Sequence, residues 1–290
     1  MTQRIRKAIF PAAGFGTRFL PATKAQPKEM LPIVDKPVIQ YLVEEAVASG
    51  IEEIIIITGR GKRAIEDHFD YSFELEHTLV EKNKQDLLET VRKVSNLAKF
   101  VYVRQQMPLG DGHAILCAKE LIGDEPFAVM FGDDIVDNEI PALKQLMNVY
   151  EKTGSPVIGL TQVPKDETQN YGVVSTKTSD GRLHELQGLV EKPKPEDAPS
   201  NLAIIGKYIL TPDALRALEN AEASPDGEIR LIDGFREFIK TQKIFGYELE
   251  GKRYDTGNKF GLIQATIDFA LKRKGLDKQV RQYLRSLDLS

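Results

Sequence analysis

The sequence of 290 residues has a single cysteine, Cys117. One thiol cannot form a disulfide within the chain, which predicts a reducing, cytoplasmic location. Cys117 lies in an apolar pattern of helical spacing, so we expect a buried core thiol rather than a nucleophile. No apolar run reaches the ~20 residues that a membrane-spanning helix needs, and no membrane partner is expected.

The chain also lacks an excess of positive charge. It has 39 lysines and arginines against 43 aspartates and glutamates, a net charge of −4. Nucleic-acid-binding domains usually carry a basic face, so this balance argues against a nucleic-acid partner and favours a small-molecule ligand. Hydrophobic residues make up 41% of the sequence, which is typical of a globular chain with a sizeable core. Internal repeats are absent, and one domain over residues 1–290 is predicted.

Two well-known phosphate-binding loops are missing from the N-terminal region. An apolar strand ending at Pro11 is followed by the glycine turn Gly14-Phe15-Gly16. The dinucleotide fingerprint requires a third glycine where Phe19 stands, and the Walker A loop requires a lysine where Thr17 stands. A dinucleotide-dependent oxidoreductase is therefore disfavoured.

The glycine turn nevertheless has the features of an anion site. Glycine lets the backbone approach a ligand closely, and successive N–H groups in such a turn form a concave anion nest. The turn is followed by fixed cations at Arg18, Lys24 and Lys28. We predict a phosphate site here; the alternative is an ordinary turn with solvated cations on the surface.

The order of elements predicts an α/β fold. Helices and strands alternate to about residue 163, with predicted elements at 37–50 (helix), 54–57 (strand), 74–96 (long helix), 99–104 (strand) and 126–132 (strand). This order predicts a Rossmann-like, doubly wound mixed sheet that is mainly parallel. Strand-like segments dominate residues 164–258, with a hairpin turn at Asp180-Gly181, and predict a β-rich elaboration. Residues 259–290 predict a helical arm whose apolar stripe, including Phe260 and Ile263, packs on the core or pairs subunits.

Polar side chains follow the predicted strands. Gln105 follows the third strand, and Gly132-Asp133-Asp134 follows the fourth. Ligands of doubly wound sheets bind at the carboxyl ends of the strands, where an amide can read a base edge and a carboxylate can hold Mg²⁺. The alternatives are a surface glutamine and an aspartate that caps the next segment. We interpret the basic run 59–63 as a surface turn rather than a second phosphate loop.

These motifs resemble those of the sugar nucleotidyltransferases, or sugar-nucleotide pyrophosphorylases. The matching segments are GFGTR at 14–18, PKEMLP at 27–32, DKP at 35–37 and VEKP at 190–193. The run PATKAQPKEMLPIVDKPVIQY is similar to the bacterial uridylyltransferases of this family, and the similarity covers nearly the whole chain. It implies a Mg²⁺-dependent homo-oligomer that converts UTP and glucose 1-phosphate to UDP-glucose and pyrophosphate.

The resemblance also implies individual roles. It assigns catalysis to Arg18, Lys28 and Lys192. It assigns nucleotide binding to Ala13, Gly14, Gly16, Thr17, Glu29, Gln105 and Gly110. It assigns sugar binding to Gly172, Glu191, Lys192 and Asn201, and metal binding to Asp133 and Asp255. From the residues alone, Glu29 is a surface acid, Glu191 and Lys192 are a solvated pair, and Asp255 is a helix cap.

Three residues depart from the family pattern. Asp111, Arg230 and Ile232 stand where the family usually has leucine, glutamine and threonine, which leaves the local loop geometry and the sugar selectivity open. His113, beside Asp111, is predicted to be a structural hydrogen-bonding residue. Two other functions compete: a nucleotidyltransferase for another nucleotide, such as dTTP, or another sugar, and a non-catalytic UTP-binding regulator.

Overall fold

The computed structural model describes residues 3–224 and 226–288, so both ends of the predicted domain lie outside the described residues. The strands are β1 (Lys7–Pro11), β2 (Pro32–Ile33), β3 (Lys36–Pro37), β4 (Glu53–Thr58), β5 (Lys99–Arg104), β6 (Phe127–Met130), β7 (Asp134–Asp137), β8 (Val157–Gln162), β9 (Gly172–Asp180), β10 (Leu183–Glu191), β11 (Leu202–Leu210), β12 (Phe245–Glu248) and β13 (Lys252–Asp255). The helices are α1 (Val38–Ser49), α2 (Arg63–Phe69), α3 (Phe73–Glu81), α4 (Gln85–Ser95), α5 (Asp111–Leu116), α6 (Lys119–Ile122), α7 (Ala142–Thr153), α8 (Pro212–Glu219), α9 (Leu231–Phe238), α10 (Lys259–Lys272) and α11 (Leu276–Ser286).

A nine-stranded mixed sheet organises the molecule, in the order β5-β4-β1-β6-β11-β8-β12-β10-β9. The strands β5, β4, β1 and β6 pair in parallel, so their carboxyl ends lie at one edge of the sheet. The antiparallel pair β9 and β10 is joined by the turn at Asp180-Gly181, as the sequence predicted. The predicted mixed α/β fold class is confirmed.

Strand β8 does not join the parallel set directly. Strand β11, from the second half of the chain, lies between β6 and β8 and pairs antiparallel with both. Ile209 and Leu210 of β11 are fully or almost fully buried and pack into opposite cores, one on each face of the sheet. A strand that is apolar on both faces is stable in the centre of a sheet, which explains why β11 inserts there.

Helices cover both faces of this sheet. Along β4, Ile54 and Ile56 pack into one core together with α1 and α7, and Ile55 and Ile57 pack into another together with α5, α8 and α9. Successive side chains of a strand point to opposite faces of the sheet, so a continuous run of isoleucines contributes side chains to both cores. This arrangement leaves the ends of the strands as the place where polar groups can collect.

The predicted long helix over 74–96 is wrong: the structure has two helices, α3 and α4. The chain reverses through Lys82–Lys84, where Asn83 has a φ of 53°. Asparagine is among the few residues that adopt the left-handed conformation readily, so it ends α3 without a glycine.

The apolar side chains of the C-terminal helices are less buried than their helical spacing predicted. Phe260 and Ile263 of α10 are 68% and 55% exposed, and the buried side of that helix is formed by Ala265 and Ala270. The cap of α10 is Asn258, whose side chain accepts a hydrogen bond from the N–H of Gly261, so the predicted alternative of Asp255 as the cap is wrong. Among residues 3–224 and 226–288, no helix combines the length and apolar character needed to cross a membrane.

We expect Lys207→Met to lower the free energy of unfolding by about 3–5 kcal/mol, because it leaves a carboxylate unpaired in the core. The Lys207 side chain is 0% exposed, and its Nζ lies 2.8 Å from Oε2 of Glu45 in α1. Urea unfolding measures the effect. The matched control is Lys99→Met, which removes an equally short but largely exposed pair with Glu53 and should cost less than about 1 kcal/mol. Equal costs for the two variants would contradict a structural role for the buried pair.

Candidate functional site

The loops that follow β1, β5 and β6 meet at one edge of the sheet and form a cleft of three adjoining pockets. The first pocket, of ≈ 400 Å³, is lined among others by Ala13, Gly14, Phe15, Lys28, Glu29, Gln105 and Gly110. The second, of ≈ 210 Å³, is lined among others by Gly172, Ile204, Tyr208, Leu231, Ile232 and Phe235. The third, of ≈ 860 Å³, is lined among others by Asn170, Tyr171, Arg253, Asp255 and Asn258.

Shared residues make the three pockets one continuous cleft. Glu191 and Lys192 line both the first pocket and the second. Arg18 and Asp133 line both the second and the third. Most of the sequence-predicted residues therefore converge, with the glycine-loop residues at one end, the two aspartates at the other, and Lys192 between them.

The glycine loop is fixed against Lys28. Gly16 has a φ of 65°, and a β-carbon there would stand 3.0 Å from Cβ of Lys28, so both its conformation and its close contact require glycine. The hydroxyl of Thr23 donates a 2.7 Å hydrogen bond to the carbonyl oxygen of Gly16. Gly16 thus shapes the loop instead of lining a pocket, and Thr17 is exposed outside the three pockets.

Lys28 and Asp133 form the central ion pair of the cleft. Nζ of Lys28 lies 2.6 Å from Oδ2 of Asp133. Burial lowers the pKa of Lys28, but the charges of Asp133 and Glu29 outweigh burial, and the pKa is raised overall. Lys28 is therefore a permanent ammonium group at neutral pH, suited to binding phosphate.

Asp133 and Asp255 approach each other across Gly257. Oδ2 of Asp133 and Oδ1 of Asp255 lie 2.7 and 3.0 Å from the point where a β-carbon on Gly257 would stand. Within the described part of the chain, no group of three or more His, Cys, Asp or Glu side chains suits a metal ion. Two carboxylates fit Mg²⁺, which is commonly held by one or two carboxylates with waters and substrate phosphates as its other ligands.

Arg253 contacts the neighbouring aspartates Asp134 and Asp255, and the sequence did not reveal it. Its guanidinium lies 2.6 Å from Oδ1 of Asp134 and 3.9 Å from Oδ2 of Asp255. The guanidinium also stacks over the ring of Tyr171, whose hydroxyl donates to Asp255 at 3.3 Å. Arg253 and Asp255 are two residues apart on β13 and so share a face, which is the signal that could have revealed it.

The first pocket contains a buried carboxylate. Glu29, which the residues alone suggested to be a surface acid, is 1% exposed and pairs with Nζ of Lys62 at 2.8 Å. Gln105 is also buried and donates to the carbonyl oxygen of Gly110 at 3.0 Å. Its Nε2 also lies 2.9 Å from Nδ1 of His113, consistent with the predicted structural role of that histidine.

The second pocket is built on the pairing of β9 and β10. Gly172 stands directly opposite Glu191, and a β-carbon on Gly172 would come within 3.3 Å of the Glu191 carboxylate. Lys192, at the end of β10, has a φ of 44°, a strained conformation for a residue with a side chain. Asn201, predicted to bind sugar, is exposed and lies outside the three pockets formed by the described residues.

A family model described as nucleotidyl transferase matches residues 7–271. The chain belongs to the nucleotidyl transferase family. This transferase is 56% identical, over 285 residues and 98% of each chain, to a UTP–glucose-1-phosphate uridylyltransferase of Bacillus subtilis (strain 168). The resemblance indicated by the motifs, and with it the prediction of a nucleotidyl-transferring enzyme, is confirmed.

Solved structures agree with this assignment. A crystal structure of UDP-glucose pyrophosphorylase complexed with UDP-glucose is 44% identical to the transferase, with a TM-score of 0.85 over 93% of this chain and 100% of the other. UTP-bound UGPase from Acinetobacter baumannii is 38% identical, with a TM-score of 0.91 over 98% of this chain and 100% of the other.

Two of the residues that depart from the family pattern meet in the transferase. Oδ1 of Asp111 accepts a 2.9 Å hydrogen bond from the backbone N–H of Leu231, next to Arg230. Burial raises the pKa of Asp111, and the hydrogen bonds from Leu231 and Gly112 oppose that shift. Asp111 thus ties the loop of the first pocket to the wall of the second.

We expect Asp111→Leu, which restores the family's usual residue, to destabilise the transferase by about 1–3 kcal/mol, because the N–H of Leu231 loses its acceptor. Asp111→Asn keeps a carbonyl oxygen as acceptor and should cost clearly less. Urea unfolding of both variants measures the difference. If the leucine variant proves as stable as the asparagine variant, the hydrogen bond does not anchor the loop.

Proposed function

We propose that the transferase converts UTP and glucose 1-phosphate to UDP-glucose and pyrophosphate. The observation that carries this proposal is the continuous cleft, in which Lys192 lines both the larger pocket behind the glycine loop and the smaller pocket behind β9 and β10, and Lys28 lines the larger one. Two phosphorylated substrates that react through their phosphates need such a shared cationic centre. The names of the relatives at 52–56% identity support UTP and glucose 1-phosphate over other pairs.

The reaction needs positioning and charge neutralisation more than proton transfer. A phosphate oxygen of glucose 1-phosphate attacks the α-phosphorus of UTP, and the bond from that phosphorus to the bridging oxygen breaks in line, releasing pyrophosphate. The nucleophile is already anionic and the leaving group departs as an anion, so no proton has to move. Holding the two reactants in line therefore supplies much of the rate enhancement.

The cations of the cleft match these demands. Lys192, between the first and second pockets, would position the sugar phosphate, and Glu191 beside it would accept hydrogen bonds from hexose hydroxyls. Lys28 would stabilise the charge that develops at the α-phosphate. Arg18, at the mouth of the second and third pockets, would hold the leaving pyrophosphate together with the glycine-loop amides. The base and ribose would lie in the first pocket, beside Gln105.

We further propose that Mg²⁺ binds between Asp133 and Asp255. The convergence of these carboxylates over Gly257 supports this, as does the charge on the substrates. Bound there, Mg²⁺ would neutralise phosphate charge and align the phosphates. Asp133 would have to release the Lys28 ammonium, which would then be free to contact the substrate.

The cytoplasmic location and the homo-oligomer implied by the family resemblance remain proposals. The lone thiol of Cys117 supports a reducing compartment. Exposed apolar side chains on the C-terminal helices, among them Phe260, Ile263 and Tyr283, support contact between subunits.

The reaction is tested by pyrophosphate release from UTP with glucose 1-phosphate, run beside dTTP, CTP and galactose 1-phosphate. We expect release mainly with UTP and glucose 1-phosphate, and loss of release when EDTA removes the metal. A preference for another nucleotide or another sugar phosphate would give the transferase a different substrate specificity within the same family. Tight UTP binding without release from any pair would indicate a regulator instead.

We expect Lys28→Ala and Asp133→Ala each to lower kcat by about 10²–10³-fold, because the first removes a cation that stabilises the transition state and the second removes a ligand of the proposed metal. Lys24→Ala is the matched control, since Lys24 lies in the same segment but is exposed and outside the first pocket. Circular dichroism checks that each variant is folded. A kcat within threefold of the unmodified enzyme in either variant would remove that residue from the mechanism.

A further inference from the structure

The basic run after β4 contains one lysine that differs from its neighbours. Arg60 and Arg63 are exposed, whereas Lys62 is 5% exposed and its ammonium lies 2.8 Å from Oε2 of Glu29. The run is thus neither the phosphate loop nor the purely surface turn that its composition suggested. It inserts one cation beneath the first pocket.

This cation has no direct access to the cleft. Glu29 lines the first pocket, but Lys62 is not among the residues that line any of the three pockets. The contact through which Lys62 reaches the first pocket is its ion pair with Glu29. The same loop also touches the glycine loop, because a β-carbon on Gly59 would stand 3.0 Å from the carbonyl oxygen of Ala13.

The Glu29 side chain is held at both its carboxylate and its stem. Lys62 pairs with Oε2, and the stem packs against the backbone of Gly132, where a β-carbon would stand 2.8 Å from Cγ of Glu29. A buried carboxylate without a partner is costly and turns towards water, so the ammonium keeps the Glu29 carboxylate in place at the first pocket. A buried ion pair adds little net stability compared with apolar side chains, so its presence calls for another explanation.

We propose that Lys62 is a positioning residue for the nucleotide. It holds Glu29 as a fixed anionic acceptor for a hydrogen-bond donor of the nucleoside, either a ribose hydroxyl or a base N–H. This proposal rests on the proposed function, because it takes the first pocket to be the nucleotide pocket. It adds a residue that acts on UTP binding without touching UTP.

The test is the affinity for UTP, measured by calorimetry, with KM values for UTP and for glucose 1-phosphate beside it. Lys62→Met keeps the length of the side chain and removes its charge. We expect the UTP affinity to fall about 10- to 100-fold, as for the loss of one hydrogen bond to a charged group, with KM for glucose 1-phosphate changed less than twofold. Arg63→Met is the matched control, because its exposed charge pairs with Asp67 on the surface.

A double-variant cycle separates positioning from folding. Glu29→Gln combined with Lys62→Met buries no unpaired charge, so the pair of changes remains testable even if Lys62→Met alone does not fold. If Lys62 acts only through Glu29, the double variant binds UTP about as weakly as Glu29→Gln alone. Additive losses, or equal rises in both KM values, would overturn the proposal.

Two further comparisons make the result unambiguous. Loss of discrimination against dUTP in Lys62→Met identifies a ribose hydroxyl as the donor held by Glu29, and loss of discrimination against CTP identifies the base N–H. If the unmodified enzyme binds no UTP, the proposed function fails. If the unmodified enzyme and Lys62→Met bind UTP equally, only the positioning role fails.

Discussion

The contact between the Lys28 ammonium and the Asp133 carboxylate joins the loop after β1 to the end of β6. These segments are 105 residues apart in sequence, and the sheet brings them together because β1 and β6 are adjacent and parallel. The contact sets the charge balance of the cleft. The cation and the anion neutralise each other in the cleft, and in the proposed function the substrate phosphates and Mg²⁺ would give each of them a separate partner.

Ionised groups are also buried around this central pair. Glu29 pairs with Lys62 below the first pocket, and Asp134 pairs with Arg253 in the lining of the third. Such pairs are costly to desolvate and add little net stability. In the proposed function they direct side chains at the cleft, which a hydrophobic layer could not do.

The loop of the first pocket and the wall of the second are also connected. Ile229 donates its N–H to the carbonyl oxygen of Leu109, His113 donates to the carbonyl of Ile229, and Asp111 accepts from Leu231. A β-carbon on Gly110 would stand 2.5 Å from the Ile229 carbonyl oxygen, so glycine is required there. These contacts hold the first and second pockets at a fixed spacing, which the proposed in-line reaction between two bound substrates would need.

Sequence alone determined the motifs and the strand ends on which they lie, because a glycine turn, an apolar run and a following aspartate are local features. These features predicted the fold class, a phosphate site with Lys28 and a carboxylate at a strand end, Asp133, and the family resemblance added Lys192 to the same site. Tertiary structure decided which charges are buried and paired: Lys62 with Glu29, 33 residues apart, Arg253 with Asp134, 119 apart, and Asp111 with Leu231, 120 apart. The physical reason is that burial and pairing depend on which distant segments the sheet brings into contact, and local composition makes Lys62 look like its exposed neighbours.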